Sequence, residues 1–238
     1  MGAPILFVTG TDTGVGKTAV SCLLAAGLRH RGLNVGVFKP AETGCAVDPD
    51  GNLIPADAVL LRTYAGSGQL IDEVCPYRLP EPLAPAVAAQ RAGVHIDFRS
   101  LCERIQSAAK RHDVVLVEGA GGWLVPLTSQ LLFADLAVAL QAKVLVVVAN
   151  RLGALNHALL TAQNVRMHGA FLSGIVWNHP APAADVAQTT NLEVLRTWLG
   201  EPLGNVPHWS EGLPPPETAA AQAGAWLDFD RILPLEVS

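Results

Sequence analysis

Gly10-Thr11-Asp12-Thr13-Gly14-Val15-Gly16-Lys17-Thr18 is a glycine-rich turn between an apolar run, residues 5–8, and a stretch of helical periodicity. A phosphate loop requires this context, because backbone N–H groups at the start of a helix bind phosphate oxygens. We expect the N–H groups of residues 13–18 to surround the β-phosphate of a nucleotide. Lys17 would reach the β and γ oxygens, and the Thr18 hydroxyl would bind Mg²⁺.

The loop departs in one place from the usual pattern G-x-x-x-x-G-K-[ST]. That pattern expects glycine where this chain has Thr11, and Gly10 stands one residue too early. The alternative is a fortuitous glycine-rich turn that binds no phosphate. Because Gly16, Lys17 and Thr18 stand at a helix start, we favour the phosphate loop and predict an ATP-binding protein.

Short apolar runs alternate with helical stretches along the chain, which predicts parallel strands joined by helices. The strand candidates are residues 5–8, 35–38, 114–117, 144–149, 174–177 and 203–206. The helix candidates are residues 18–31, 57–64, 84–90, 98–111, 154–168 and 187–199. The sequence therefore predicts one α/β domain over residues 1–238, of P-loop NTPase type. Its largely parallel, doubly wound sheet would have helices on both faces and ligands at the carboxyl ends of the strands.

The composition limits the classes of partner. Half of the 238 residues are apolar and 16% are charged, which is typical of a folded globule. A net charge of −5 with scattered basic residues argues against nucleic-acid and anionic-membrane surfaces. The four cysteines form no CxxC motif and are predicted to be reduced thiols of a cytosolic protein. We expect no targeting segment and no membrane span.

Charged residues follow two predicted strands. Glu118 follows residues 114–117 and Lys39 follows residues 35–38, so both should emerge near the phosphate loop. There a carboxylate can hold Mg²⁺, and a second lysine can neutralise phosphoryl charge. Taken alone, an acidic residue after a strand, such as Glu118, is more often a solvated loop residue than a metal ligand. For Lys39, an exposed lysine at a strand end is as good an interpretation as a phosphate contact. Asp57 opens a helix candidate, where by itself its carboxylate is best explained as a cap.

Four segments together resemble the dethiobiotin synthetases. They are residues 9–18 (TGTDTGVGKT), 39–44 (KPAETG), 117–126 (VEGAGGWLVP) and 152–157 (LGALNH). The match runs from the first strand to near the C-terminus, and that family carries the same shifted glycine. The resemblance implies a homodimeric, cytoplasmic enzyme of biotin synthesis with a largely parallel sheet of about seven strands.

The resemblance also implies a reaction, by an ATP-dependent cyclo-ligase that forms C–N bonds. With Mg²⁺, such an enzyme closes a ring on 7,8-diaminononanoate with CO₂ and yields dethiobiotin, ADP and phosphate. The N7 amine takes up CO₂ as a carbamate, whose oxygen attacks the γ-phosphate to form a carbamic-phosphoric anhydride. The N8 amine then closes the ureido ring and expels phosphate. The protein would supply positioning and charge neutralisation.

Residue roles follow from the resemblance by motif. The implied catalytic residues are Lys17, Lys39 and Thr11. The implied Mg²⁺ ligands are Thr18, Asp57 and Glu118, which favours the metal role of Asp57 over a cap. The implied nucleotide contacts are Thr13, Gly14, Val15, Gly16, Lys17, Thr18, Ala19, Asn178, Pro207, His208 and Trp209. The implied substrate contacts are Thr11, Lys39, Thr43, Gly121 and Asn156.

Two of these assignments need detail. Asn178 matches the asparagine that reads adenine, and residues 207–209 match the segment that closes over the base. The chain has Asn178-His179 where the family commonly has Asn-Asp, so it departs from the family next to the residue implied to read the base. Asn156 matches a segment that reaches the substrate carboxylate across the dimer interface, at a helix N-terminus that suits an anion. Each active site would then need both subunits.

The main alternative is a switch ATPase of the partition or septum-positioning type, from the same P-loop branch. Such proteins usually carry an extra lysine early in the loop. Residues 11–14 (TDTG) contain none, and no amphipathic membrane tail is evident. An amide-forming ligase of cobyric acid type would be expected to add a glutaminase domain, for which we see no room in the chain.

Overall fold

The computed structural model describes residues 2–182 and 186–234, and in it helices separate the six predicted strands from one another. In chain order the elements are β1 (Ile5–Gly10), α1 (Lys17–His30), β2 (Val35–Phe38), β3 (Ala41–Thr43), β4 (Ala46–Val47), β5 (Leu53–Ile54), α2 (Ala56–Ala65), α3 (Ile71–Val74), β6 (Tyr77–Leu79), α4 (Pro85–Ala92), α5 (Phe98–Ala108), β7 (Val114–Gly122), α6 (Phe133–Ala139), β8 (Lys143–Ala149), α7 (Ala154–Met167), β9 (Phe171–Asn178), α8 (Ala187–Leu199), β10 (Gly204–Val206), α9 (Pro216–Trp226) and α10 (Phe229–Ile232). The main sheet has the order β10-β9-β8-β1-β7-β2, and every pair in it is parallel.

The strand predictions are confirmed, but the strand number that the resemblance implied needs correction. All six strand candidates lie in the main sheet, and within residues 2–182 and 186–234 this sheet has six strands, not about seven. The chain leaves the sheet after β2 at Pro40, which has no N–H group to donate to a strand ladder. The next strand, β3, instead pairs with β6 in a separate two-stranded sheet, and β4 pairs with β5.

Some elements escaped prediction. Helices α3, α6, α9 and α10 have no counterpart among the helix candidates. Helix α9 begins at Pro216, in a Pro-rich piece that the sequence pattern indicated as a loop. Proline is well suited to a first helical turn, because the N–H group it lacks has no partner there. No helix in the described part of the chain is long and apolar enough to cross a membrane.

The two faces of the sheet bury separate hydrophobic cores. Leu6 and Val8 of β1 pack into the core that α1, α2 and α9 cover. Phe7, between them, packs into the other core, with α5, α6 and α7. All three side chains are fully buried. This alternation follows from the two-residue period of a strand, and it confirms the doubly wound sheet with helices on both faces.

Helix α1 begins directly after the phosphate loop and packs closely against the C-terminal helices. A Cβ atom at Gly27 would lie 2.2 Å from Cζ of Phe229 and 3.0 Å from Cβ of Ala223. Both neighbours are buried, so they have little room to move. Glycine at this position therefore sets how near α9 and α10 approach α1.

This close approach predicts opposite effects for two glycine substitutions. Gly27→Ala should destabilise the fold by about 1 to 2 kcal/mol, because overpacking outweighs the gain in helix propensity. Gly224→Ala, inside α9, is the matched control. A Cβ atom added there would have no neighbour among the described residues within 4 Å, so alanine should stabilise by about 0.5 to 1 kcal/mol. Urea unfolding measures both. A Gly27→Ala protein as stable as the parent would contradict the packing argument.

Candidate active site

A cavity of about 360 Å³ lies where the phosphate loop meets the ends of β2 and β7. Its lining residues are Thr13, Gly14, Gly16, Lys17, Thr18, Lys39, Glu42, Thr43, Asp57, Ala120 and Gly121. Most of the residues predicted to contact phosphate, metal or diamine are among them. Glu42 and Ala120 were not predicted. The parallel strands bring these residues together because their carboxyl ends share one edge of the sheet.

The shifted glycine of the loop has a packing explanation. Gly10 is the last residue of β1, and a Cβ atom there would lie 2.6 Å from Cγ2 of Val15. The N–H group of Thr11 donates to the carbonyl of Val147 at 3.1 Å, so this residue continues the contact with β8. Glycine is thus required at the strand end, beneath Val15. Thr11 does not line the cavity, and its catalytic and substrate roles stay predictions.

Lys39 lies at the centre of a buried ion cluster. Its Nζ is 2.5 Å from Oε1 of Glu118 and 2.9 Å from Oδ2 of Asp57. The Thr18 hydroxyl donates to the same Oε1 at 2.9 Å. Lys39 is 4% exposed and Glu118 is 1% exposed, so the alternatives of an exposed lysine and a solvated loop carboxylate are wrong. Burial of these charges requires partners, because an unpaired buried charge is costly.

The capping alternative for Asp57 is also wrong. Helix α2 follows Pro55, and the cap position makes no side-chain hydrogen bond. The carboxylate of Glu42 instead accepts from the backbone N–H groups of Asp57 and Ala58, both at 3.0 Å. Burial raises the pKa of Glu42, and these two hydrogen bonds oppose the rise. Glu42 therefore caps α2 and leaves the Asp57 carboxylate for Lys39.

The two lysines of the cavity differ electrostatically. Burial, and after it the charge of Lys39, lowers the pKa of Lys17 to about 8, although Glu118 and Asp57 oppose the change. Lys17 donates to the carbonyl of Asp12 at 3.2 Å. Burial also acts to lower the pKa of Lys39, but its two carboxylate partners outweigh burial and raise it above the ordinary value. Lys17 thus lacks a carboxylate contact of its own within the described residues and is placed to receive an anion.

Thr18, Asp57 and Glu118 fit a magnesium ion. Oε2 of Glu118 is buried and has no hydrogen-bond partner among the residues that the structure describes. Within the same residues, no group of three or more His, Cys, Asp or Glu side chains could hold a metal. The candidate set is therefore two carboxylates and a hydroxyl. Mg²⁺ is commonly held by one or two carboxylates together with substrate phosphates and water.

The segment predicted to close over the base lies at a second cavity, of about 310 Å³. This cavity is lined by His179, Ala181, Pro182, Asn205, Pro207, His208 and Trp226. Trp209 is outside the lining, and its ring meets that of Trp226 edge to face with centroids 5.2 Å apart. His179, where the family commonly has aspartate, lines this second cavity. Its Nε2 is 2.9 Å from Oδ1 of Asn205.

The remaining predicted residues lie outside both cavity linings. Val15 is buried, and Ala19 is in the first turn of α1. The Asn178 amide donates to the carbonyl of Val15 at 2.8 Å. Asn156 is exposed in the first turn of α7. The structure brings Asn178 to the phosphate loop and leaves Asn156 at the surface.

Arg151 is a site neighbour that the sequence pattern did not reveal. Its guanidinium is 2.8 Å from Oδ2 of Asp12, and Oδ1 of the same carboxylate accepts from the N–H group of Thr13 at 2.7 Å. Asn191 donates to the carbonyl of Arg151 at 3.1 Å. An ion pair this exposed contributes little stability by itself. Its significance is that it joins the phosphate loop to the segment between β8 and α7.

Comparison with known proteins relates the chain to one enzyme family. A family model described as an AAA domain matches residues 5–210. The ATP-dependent dethiobiotin synthetase BioD of Anaeromyxobacter sp. (strain Fw109-5) is 43% identical over 204 residues, 85% of this chain and 89% of the relative. A protein of the same name from Thermodesulfovibrio yellowstonii is 36% identical, over 86% of this chain and 89% of the relative. Another, from Pseudescherichia vulneris, is 37% identical, over 95% of this chain and 92% of the relative.

Solved structures share the fold at lower identity. The septum site-determining protein MinD of Pyrococcus horikoshii OT3, complexed with Mg-ADP, has a TM-score of 0.59 and 21% identity, with 98% of this chain and 94% of MinD covered. A ParA family ATPase of Chlorobium tepidum TLS has a TM-score of 0.55 and 13% identity, with 97% and 93% covered. At these identities the likeness shows the fold alone. The curated relatives show the family, and the chain belongs to the ATP-dependent dethiobiotin synthetases.

Proposed function

We propose that this protein closes the ureido ring of dethiobiotin from 7,8-diaminononanoate and CO₂, with ATP and Mg²⁺, in biotin biosynthesis. The relatives carry the name of this activity. The observation that supports it best is the ion cluster of Lys39, Asp57 and Glu118 beside the phosphate loop. Lys39 and Asp57 line the same cavity as Lys17, and Glu118 lies behind them in contact with Lys39 and Thr18. Two cations and two carboxylates there suit a reaction between a polyphosphate and an anionic carbamate.

The nucleotide would bind along the phosphate loop and reach toward β10. Residues 13–19 would hold the phosphates through backbone N–H groups at the start of α1. Asn178, Pro207, His208 and Trp209 would contact the base. Thr18, Asp57 and Glu118 would hold Mg²⁺, which when bound neutralises phosphate charge. The buried, unpartnered Oε2 of Glu118, as seen within the described residues, supports this assignment.

The diamine would bind on the other side of the cavity. Thr43 and the Gly121 backbone, which line it, would contact the diamine, and Thr11 would approach it. Lys39 and Lys17 would neutralise charge as the carbamate oxygen attacks the γ-phosphorus and ADP leaves. The N8 amine then attacks the carbamate carbon, the C–O bond to phosphate breaks, and the amine proton is lost. The protein contributes alignment and fixed positive charge.

We propose further that the protein is a cytoplasmic homodimer. Large apolar side chains are exposed along α7 and at the start of β9: Leu160, Met167 and Phe171 are 57%, 75% and 66% exposed. Leu160 and Met167 are seven residues apart and so share a face of α7, and apolar side chains exposed together on one face commonly mark a contact with another chain. Asn156, in the first turn of the same helix, would then reach the substrate carboxylate in the partner's site. Four free cysteines, three of them buried, suit a reducing compartment.

The activity itself is testable with purified components. Incubation of the protein with diaminononanoate, bicarbonate, Mg²⁺ and ATP should yield dethiobiotin, detected by mass spectrometry, together with one ADP for each ring closed. Omission of the diamine should abolish most ADP formation. ATP hydrolysis that is indifferent to the diamine would contradict the proposal and favour a switch ATPase.

The lysines of the cavity predict the largest loss of activity. Lys17→Ala and Lys39→Ala should each lower turnover by at least about a hundredfold, the effect of removing one preorganised charge-stabilising donor. Lys110→Ala removes the same charge from an exposed position after α5 and is the matched control, which should keep near-normal turnover. Near-normal turnover of Lys39→Ala would contradict its catalytic role.

The quaternary proposal has its own measurement. Light scattering during size-exclusion chromatography should give about twice the chain mass of 25.0 kDa.

Asn156→Ala should raise the KM for the diamine by about tenfold and leave the KM for ATP near normal, since a hydrogen bond to a charged group is lost. An enzyme that is active as a monomer would refute the shared site but not the ring closure.

A further inference from the structure

The side chain of Asn178 contacts the phosphate loop from a distant part of the chain. Its Nδ2 donates to the backbone carbonyl of Val15 at 2.8 Å, across a separation of 163 residues. Asn178 is 3% exposed and Val15 is 1% exposed, so water cannot readily replace this hydrogen bond. A buried carbonyl that loses its partner costs more than the hydrogen bond itself contributes.

The backbone of Asn178 is held firmly on both sides. It is the last residue of β9 and pairs with Ala149 of β8 and with Val206 of β10. Its carbonyl accepts from the N–H group of Asn150 at 2.8 Å. The amide is therefore presented from a rigid sheet edge to the phosphate loop, in which Val15 belongs to neither a strand nor a helix.

The same amide lies over Gly16. This residue precedes α1 and has a φ of 90°. Glycine adopts this conformation without strain, whereas a residue with a Cβ atom would be strained there. A Cβ atom at Gly16 would lie 2.1 Å from Nδ2 of Asn178. The amide thus occupies the space above the glycine and holds the carbonyl just before it. Both contacts fall at the peptide unit that joins Val15 to Gly16.

We propose that Asn178 is a positioning residue for phosphate binding, which holds Val15 and Gly16 so that the loop is preorganised for a polyphosphate. This inference rests on the nucleotide binding of the proposed function. The positioning role is compatible with the role in reading the base. The amide of Asn178 has a second N–H group and a carbonyl oxygen, and within the described residues neither has a hydrogen-bond partner, so both can contact a base. Preorganisation raises affinity because the ordering cost is met before the ligand arrives.

The two roles of Asn178 predict different ligand dependence. If the amide positions the loop, Asn178→Ala weakens every ligand that the loop holds, with or without a base. If it reads adenine only, ATP is weakened and a ligand without a base is not. Inorganic tripolyphosphate is therefore the deciding probe, with ATP and GTP beside it.

Isothermal titration with Mg²⁺ and without diamine measures these affinities in the full-length protein. We expect Asn178→Ala to weaken tripolyphosphate about three- to tenfold, the effect of one hydrogen bond, and to weaken ATP and GTP by at least the same factor. Asn178→Ser is the second variant, for use if the alanine protein does not fold, because its hydroxyl is too short to reach the carbonyl of Val15.

Gln69→Ala is the matched control for a general loss of stability. Gln69 is also buried, and its amide oxygen accepts from the backbone N–H group of Val37 at 2.8 Å, outside both cavities of the site. Its loss should lower the melting temperature and leave the tripolyphosphate affinity unchanged. A loss of affinity in Gln69→Ala equal to that in Asn178→Ala would assign the effect to stability and overturn the proposal.

Two further outcomes would overturn the inference. One is unchanged tripolyphosphate affinity with weakened ATP, which leaves a base contact only. The other is unchanged affinity for all three ligands. Neither outcome contradicts the proposed ring closure, because these titrations measure binding and require no turnover. Failure of the parent protein to bind ATP would instead count against the proposed function.

Discussion

The ammonium group of Lys39, buried between two carboxylates, is the interaction on which the site depends. Glu118 arrives on β7, Asp57 on α2 and Lys39 at the end of β2, so three elements must end at fixed positions for the charges to meet. Removal of one partner from such a cluster leaves an uncompensated buried charge, which costs several kcal/mol. The charges that suit the chemistry therefore also constrain the local fold, and Glu42 supports them by capping α2.

The architecture explains why the charges collect at one place. Helices cover both faces of the sheet with separate cores, so the faces offer no room for polar groups. The carboxyl edge remains, where β1, β2 and β7 deliver the phosphate loop, Lys39 and Glu118 side by side. There the start of α1 adds its positive end and the N–H groups of its first turn. A polyphosphate site at this edge is the arrangement that doubly wound sheets favour.

The fold alone does not specify the chemistry. MinD and ParA share it at 21% and 13% identity, whereas relatives named as dethiobiotin synthetases are 36 to 43% identical. The difference must lie in the residues that line the cavity and in the segments that complete it. In this chain residues 11–14 contain no lysine, and Lys39 lines the cavity beside the phosphate loop. The fold supplies the place for a polyphosphate, and the side chains around it decide what reacts there.

The sequence by itself determined the phosphate loop, the six strands of the sheet and the layering of helices, because a glycine-rich turn and the periods of strand and helix are local patterns. It could not determine the partners of the polar groups. Lys39 and Glu118 are 79 residues apart, Glu42 and the N–H group of Asp57 are 15 apart, and Asn178 and Val15 are 163 apart. Such pairs leave no periodic signal, since only the packing of the elements brings them together. The tertiary structure thus decided that Asp57 is not a cap, that Lys39 is buried, and that Asn178, the asparagine expected at the base, donates a hydrogen bond to the phosphate loop.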